Sequence, residues 1–80
     1  MNKEEIHAMT QEYNESIRLL DETLADCREA LKRAKAQRRR HIISKLNANI
    51  AALYRQRKEL TDILSSLNAY YAEQEEKKAG

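Results

Sequence analysis

Apolar side chains recur along this chain at alternating steps of three and four residues, in two separate stretches. This spacing is the heptad pattern of helices that pack together along one apolar stripe. In the first stretch the d positions are Ile6, Tyr13, Leu20, Cys27 and Ala34, and the a positions are Thr10, Ile17, Leu24 and Leu31. In the second stretch the a positions are Ile43, Ile50, Arg57, Leu64 and Tyr71, and the d positions are Leu46, Leu53, Leu60, Leu67 and Gln74.

The two registers do not join, because continuing the first would place Arg38 and Lys45 at apolar positions. A break between two equal stretches predicts an antiparallel hairpin, with helix 1 at about 3–37, a turn at about 38–41, helix 2 at about 42–74 and a frayed tail at 75–80. The alternative is one continuous helix of about 110 Å, at 1.5 Å per residue. It stays open because the segment 36–41 contains none of the usual turn or C-cap residues.

Folding back in this register aligns Leu24 with Leu53 and Leu20 with Arg57. Arg57 is then the one charged residue inside the seam, and we expect its stem to cross the apolar stripe and its guanidinium to reach Asp21. The alternative is that Arg57 binds a ligand anion inside the bundle. At the start of helix 1, Asn2 and Glu5 have the spacing of a capping box.

Composition narrows the fold class to all-α. The 80 residues include no proline and one glycine, the terminal Gly80, and 35% of them are charged. Tight β-turns and phosphate-binding loops depend on glycine, so β-sheet folds, dinucleotide-binding folds and P-loops are excluded. Residues 1–80 are expected to form a single helical-hairpin domain.

A hairpin of two helices buries only one narrow seam, and short chains of this kind usually need a partner surface. Apolar residues also occur beside the seam, which predicts dimerisation of the coiled-coil-like hairpin into a four-helix bundle. The candidate dimer surface consists of Met9, Ile42, Tyr54, Ile63 and Tyr70. The alternatives are docking onto a different protein and a monomer in which these residues cover the edges of the seam.

Charge is distributed unevenly along the chain. Residues 1–27 carry a net charge of −5, residues 28–45 a net charge of +7, and residues 46–80 a net charge of zero. In a hairpin the basic residues gather at the turn, where they can bind phosphates or pair with an acidic protein or a second dimer. The alternative is a tip that is simply solvated. These residues are Arg28, Lys32, Arg33, Lys35, Arg38, Arg39, Arg40 and Lys45. No aromatic residue lies among them to stack on bases.

The sequence offers little for catalysis, and we expect no enzyme activity, cofactor, metal or small-molecule substrate. His7 and His41 fall at opposite ends of the hairpin, and Glu4 with His7 supplies only one of the Glu-x-x-His pairs that di-iron bundles need. Cys27 lies on the apolar stripe and is expected to be a small core residue, with a reactive or dimer-linking thiol as the alternative.

These features predict a small non-catalytic protein–protein interaction or assembly module that acts through its bundle surface. The alternative is a nucleic-acid-binding accessory protein that uses the basic tip. No apolar run has the length of a signal peptide core or a membrane span, which predicts a cytoplasmic location and no membrane contact.

Overall fold

Two helices, α1 (Lys3–Ala36) and α2 (Arg40–Ala79), pack against each other in an antiparallel hairpin. The computed structural model describes the backbone of residues 2–79 and the side chains of residues 2–77. Its principal extents are 62 × 15 × 14 Å, and no strand occurs within residues 2–79. The predicted all-α hairpin is confirmed, and the continuous rod is not formed.

The start of α1 is fixed by its cap. Asn2 has extended backbone angles, and its side-chain oxygen Oδ1 accepts a hydrogen bond of 2.8 Å from the backbone N–H of Glu5. Glu5 in turn accepts a bond of 3.3 Å from the Asn2 side-chain amide. The acidic side chains of Glu4 and Glu5 also lie in the first turn, next to the positive end of the helix dipole.

The turn between the helices is a Schellman motif built without glycine. The Arg39 N–H bonds to the Ala34 carbonyl at 3.0 Å, and the Arg38 N–H bonds to the Lys35 carbonyl at 3.1 Å. This geometry requires a left-handed residue, and Arg38 takes that role with φ 56°. A side chain with a Cβ is disfavoured there by roughly 1–2 kcal/mol, which glycine would avoid.

The helix boundaries near the turn differ from the prediction. The turn occupies residues 37–39 rather than 38–41, and α2 begins at Arg40 rather than at residue 42. The first helical carbonyl of α2 is that of Arg39, which accepts from the Ile43 N–H at 3.0 Å. Sequence rules favour Ser, Thr, Asp or Asn at this N-cap position, and an arginine there gives no signal.

Helix α2 also extends beyond its predicted end near residue 74, and fraying of residues 75–80 stays a prediction. The helix α2 continues to Ala79, and Gly80 lies outside the described residues. The tail lacks an apolar stripe, but Glu, Lys and Ala are strong helix formers and no proline or glycine interrupts them before Gly80. Glu75 is also linked to the other helix through an ion pair with Lys3 at 3.6 Å.

The seam follows the two predicted registers. Every a and d position from Ile6 to Ala34 and from Ile43 to Gln74 is buried or half-buried. However, only Ile6, Leu24 and Ala34 are fully buried among the described residues. Leu24 is the most deeply buried of the three, with 1% of its surface exposed. The hairpin therefore has a continuous but thin core.

Replacing Arg38 with glycine should stabilise the hairpin, because the left-handed cost disappears while both Schellman hydrogen bonds remain. After allowance for the extra freedom of the unfolded chain, we expect the free energy of unfolding to rise by about 0.5–1 kcal/mol. Urea denaturation followed by circular dichroism at one protein concentration measures this change.

The matched control is Arg38→Ala, which removes the same charge but keeps the left-handed cost. It should leave the free energy of unfolding nearly unchanged. An equal gain in both variants would assign the effect to relieved charge repulsion at the turn instead of backbone strain.

Candidate interaction surfaces

The seam has two flanks, and the heptad positions assign residues to each. The g positions of both helices lie on one flank and the e positions on the other, since antiparallel helices pair g with g and e with e. The uncharged face is the set of g positions Met9, Ser16, Thr23, Ala30, Ile42, Asn49, Gln56, Ile63 and Tyr70. The charged side is the set of e positions His7, Asn14, Asp21, Arg28, Lys35, Asn47, Tyr54, Thr61, Asn68 and Glu75.

Two shallow depressions on the surface, each lined by residues of both helices, agree with this division. A shallow depression on the uncharged face is lined by Thr23 and Asn49, together with seam residues Cys27 and Leu53. A second depression lies on the charged side and is lined by Asp21, Arg28, Tyr54, Arg57, Lys58 and Thr61. Residues of the two helices therefore meet on each flank as the registers require.

The charged side is closed by polar contacts across the seam. Arg57 crosses from its a position and donates from Nε to Asp21 Oδ1 at 2.7 Å and from Nη2 to Asp21 Oδ2 at 3.3 Å. The predicted pairing of Arg57 with Asp21 is confirmed. Because this hydrogen-bonded guanidinium favours the ionised carboxylate, it lowers the pKa of Asp21, while the carboxylate raises the pKa of Arg57.

The open end of the hairpin is held by Lys3. Its Nζ lies 3.6 Å from Glu75 Oε1 and 5.8 Å from the centre of the Tyr71 ring. Interaction with Tyr71 and then with Glu75 raises the pKa of Lys3. These contacts link the first turn of α1 to the last part of α2, although Lys3 is exposed and Glu75 only half-buried, so the ion pair adds little stability.

The uncharged face leaves large apolar side chains in solvent. Leu19 is 49% exposed, Ile42 39%, Ile63 40% and Tyr70 38%. Ile42, Ile63 and Tyr70 are at g, and Leu19 is at the adjacent c position on the same flank. Met9 is half-buried. The sequence prediction did not include Leu19, because a c position normally faces solvent. The signal that could have identified it is a single leucine next to the uncharged g positions of α1.

Tyr54 lies apart from the other candidate dimer residues. It occupies an e position on the charged side, and the guanidinium carbon of Arg28 lies 5.3 Å from the centre of its ring. A cation over an aromatic face is itself a favourable arrangement. Although its side chain is 44% exposed, Tyr54 therefore serves a contact within the hairpin and does not extend the uncharged face.

The basic tip is the set of eight basic residues that surround the turn, and all of them are exposed. They are Arg28, Lys32, Arg33, Lys35, Arg38, Arg39, Arg40 and Lys45. Among the described side chains, the ion pairs involve Lys3, Arg18, Arg57 and Lys58, and none involves a residue of the basic tip. The structure therefore places these exposed charges around the turn without a direct ion pair among the described side chains, although Arg28 also lies over the Tyr54 ring.

The two histidines lie at opposite ends of the hairpin, as the sequence predicts. His7 lines a depression at the open end with Glu4 and Tyr71, whereas His41 lies beside the turn. Over the described residues, no group of three or more His, Cys, Asp or Glu side chains is placed to hold a metal ion. The thiol of Cys27 is free and half-buried in the seam.

Neither helix has an apolar stretch long enough to cross a bilayer, over the part of the chain that the structure describes.

Comparison of the chain with protein-family models, curated proteins and solved structures gave no match.

The Asp21–Arg57 pair should make stability depend on pH. Because the folded-state pKa of Asp21 lies below its unfolded value near 3.8, the pair stabilises the fold above that value and the contribution is lost as pH falls through the folded-state pKa. The melting temperature of the wild type should exceed that of Asp21→Asn by a constant amount above about pH 5, and this difference should shrink below about pH 4.

Glu29→Gln is the control, because Glu29 lies on the outer surface of α1 and forms no ion pair among the described side chains. Its melting temperature should differ little from that of the wild type across the same range. A pH-independent difference for Asp21→Asn would show that the pair contributes packing but no charge-dependent stability.

Proposed function

We propose that this protein is a small non-catalytic interaction module that assembles through its uncharged face, with a second copy completing a four-helix bundle. The observation that carries this proposal is the row of g positions, which holds no charge and leaves Ile42, Ile63 and Tyr70 exposed. Leu19 lies exposed beside this row at a c position.

The contrast between the two flanks supports assembly on one of them. Burying a charged group costs free energy unless it is paired, so the charged side is poorly suited to a dry interface. From Met9 to Tyr70, the g positions hold only apolar, hydroxyl and amide side chains. They can be covered without desolvating a charge, and clustered exposed apolar residues usually mark an interaction site.

The thin core supports the same proposal. With only three residues fully buried among those described, the hairpin removes little apolar surface from water on its own. A second hairpin on the uncharged face would cover Met9, Ile63 and Tyr70 and widen the core from one seam to a bundle interior. A closed two-fold dimer is the commonest way to supply such a surface.

Replacing Ile63 with glutamate should disrupt this assembly, because each copy loses a buried apolar side chain and places a carboxylate in the interface. We expect dimerisation to weaken at least about thirtyfold, equivalent to roughly 2 kcal/mol. Sedimentation equilibrium over a range of concentrations measures the change.

The control is Ala69→Glu, which adds the same charge to the same helix at an exposed f position on the outer surface. It should dimerise like the wild type. A wild-type mass of 9.4 kDa at every concentration would overturn the homodimer, and equal weakening by both variants would assign the loss to net charge.

We also propose a second candidate function, contact of the basic tip with nucleic acid. It is favoured by the choice of residues at the turn. Arg38 occupies a left-handed position that suits glycine, and Arg39 an N-cap position that suits Ser or Asp. Arginines held where the fold would prefer other residues are consistent with a use for their charge, since functional sites commonly lower stability.

The variant Arg38→Gly/Arg39→Ser/Arg40→Ala tests this function, because it removes three charges while improving both caps. Mobility shift with a DNA duplex at several salt concentrations should show weaker binding, and the slope of log affinity against log salt should fall by about two to three.

The control removes three basic residues elsewhere, with Arg55→Ala/Lys58→Ala/Lys77→Ala. It should retain most of the wild-type affinity. Absence of wild-type binding at low salt would overturn this candidate function, and equal loss in both variants would show a response to net charge alone.

A further inference from the structure

The rim of the uncharged face is positively charged at one end and negatively charged at the other. The c positions flank this face, and near the turn they hold Arg33 and Lys45, whereas at the open end they hold Glu5 and Glu73. All four side chains are exposed. The register of the seam aligns the helices so that Glu5 lies level with Glu73 and Arg33 level with Lys45. The ion pairs Lys3–Glu75 and Asp21–Arg57 agree with this alignment.

Two symmetric arrangements can cover the uncharged face with a second copy. In the parallel one, both tips lie at the same end, and α1 of one copy packs over α2 of the other. Arg33 then faces Lys45 of the second copy, and Glu5 faces its Glu73. Both rim contacts join like charges, which is unfavourable.

In the antiparallel arrangement the long axes are opposed and each helix packs over its own counterpart. Arg33 then faces Glu5 of the second copy, and Lys45 faces its Glu73. We propose that the dimer is antiparallel, with the basic tip of each hairpin next to the acidic open end of the other. This inference rests on the homodimer proposed above and adds the orientation of the partner.

The position of Leu19 supports the antiparallel arrangement. Leu19 lies midway between Glu5 and Arg33 on the same row of α1, so the two-fold axis that pairs those residues passes beside it. Leu19 then contacts Leu19 of the second copy, which removes from water the most exposed large apolar side chain among those the structure describes. In the parallel arrangement Leu19 would face Glu59.

Some rim contacts oppose this orientation. Glu12 comes opposite Asp26 of the second copy, and Glu59 comes opposite its own counterpart. The antiparallel rim therefore combines attractive and repulsive contacts, whereas the charged contacts of the parallel rim are all repulsive. Exposed pairs of this kind add little affinity but select between orientations.

The proposed orientation determines where the basic tips lie. Each tip falls at an opposite end of a bundle whose length is close to the 62 Å of one hairpin. Arg38, Arg39 and Arg40 lie beyond the rim contacts, so the dimer would present two separate basic ends.

Charge reversal at Arg33 distinguishes the orientations by the sign of its effect. In an antiparallel dimer Arg33→Glu faces Glu5 and should weaken dimerisation about three- to tenfold, equivalent to about 0.3–0.7 kcal/mol for each of the two exposed pairs. Adding Glu5→Lys to the same chain should restore the affinity. The control, Lys32→Glu, makes the same charge change away from the uncharged face and should have a smaller effect.

Spin labels measure the orientation directly. In a Cys27→Ser background, a label at His41 near the turn and a label at Arg55 near the middle are each introduced by substitution with cysteine. An antiparallel dimer should separate the two His41 labels by about 50 Å or more along the axis, at 1.5 Å per residue, and bring the Arg55 labels much closer.

The outcomes separate the orientation from the dimer itself. Similar distances for both labels, together with tighter dimerisation of Arg33→Glu, would establish a parallel dimer and overturn the orientation alone. A lack of any dipolar coupling at either label, with a monomeric mass, would overturn the homodimer and the orientation together.

Discussion

The structure depends on a single apolar seam between two helices. The a and d positions from Ile6 to Gln74 are buried or half-buried, yet only Ile6, Leu24 and Ala34 are fully buried among the described residues. A seam of this width holds the helices in register but leaves both flanks near the surface. The properties of the molecule therefore follow from what occupies the flanks, which are the uncharged face and the charged side with its Asp21–Arg57 pair.

At the turn, an arginine occupies a backbone position that favours glycine. Helices commonly end in glycine at the left-handed position, because a Cβ is disfavoured there. Here Arg38 adopts it with φ 56°, and the backbone hydrogen bonds from Arg38 and Arg39 to α1 keep the turn closed. The register of the seam on either side leaves no other place for the chain to reverse, so packing of the two stripes imposes the turn on a segment with no local preference for it.

Heptad spacing was sufficient to predict the hairpin, the seam residues and the pairing of Arg57 with Asp21, because each depends on the periodicity of apolar positions. It did not locate the turn to the residue, since Arg39 and Arg40 carry no capping signal. The predicted dimer surface also grouped Tyr54 with Ile63 and Tyr70, although the heptad registers place Tyr54 at e and the other two at g. In an antiparallel pair these positions lie on opposite flanks, and the contact of Arg28 with Tyr54 agrees with this.

The central claim is that the uncharged face is buried against a second copy, and a dilution series followed by amide NMR tests it most directly. As the dimer dissociates, the largest chemical-shift changes should fall at polar residues of the uncharged face, such as Ser16, Thr23, Asn49 and Gln56. Amides at outer f positions, such as Glu29 and Ala48, should change little. Spectra independent of concentration with a monomeric mass, or changes confined to the charged side, would contradict the account.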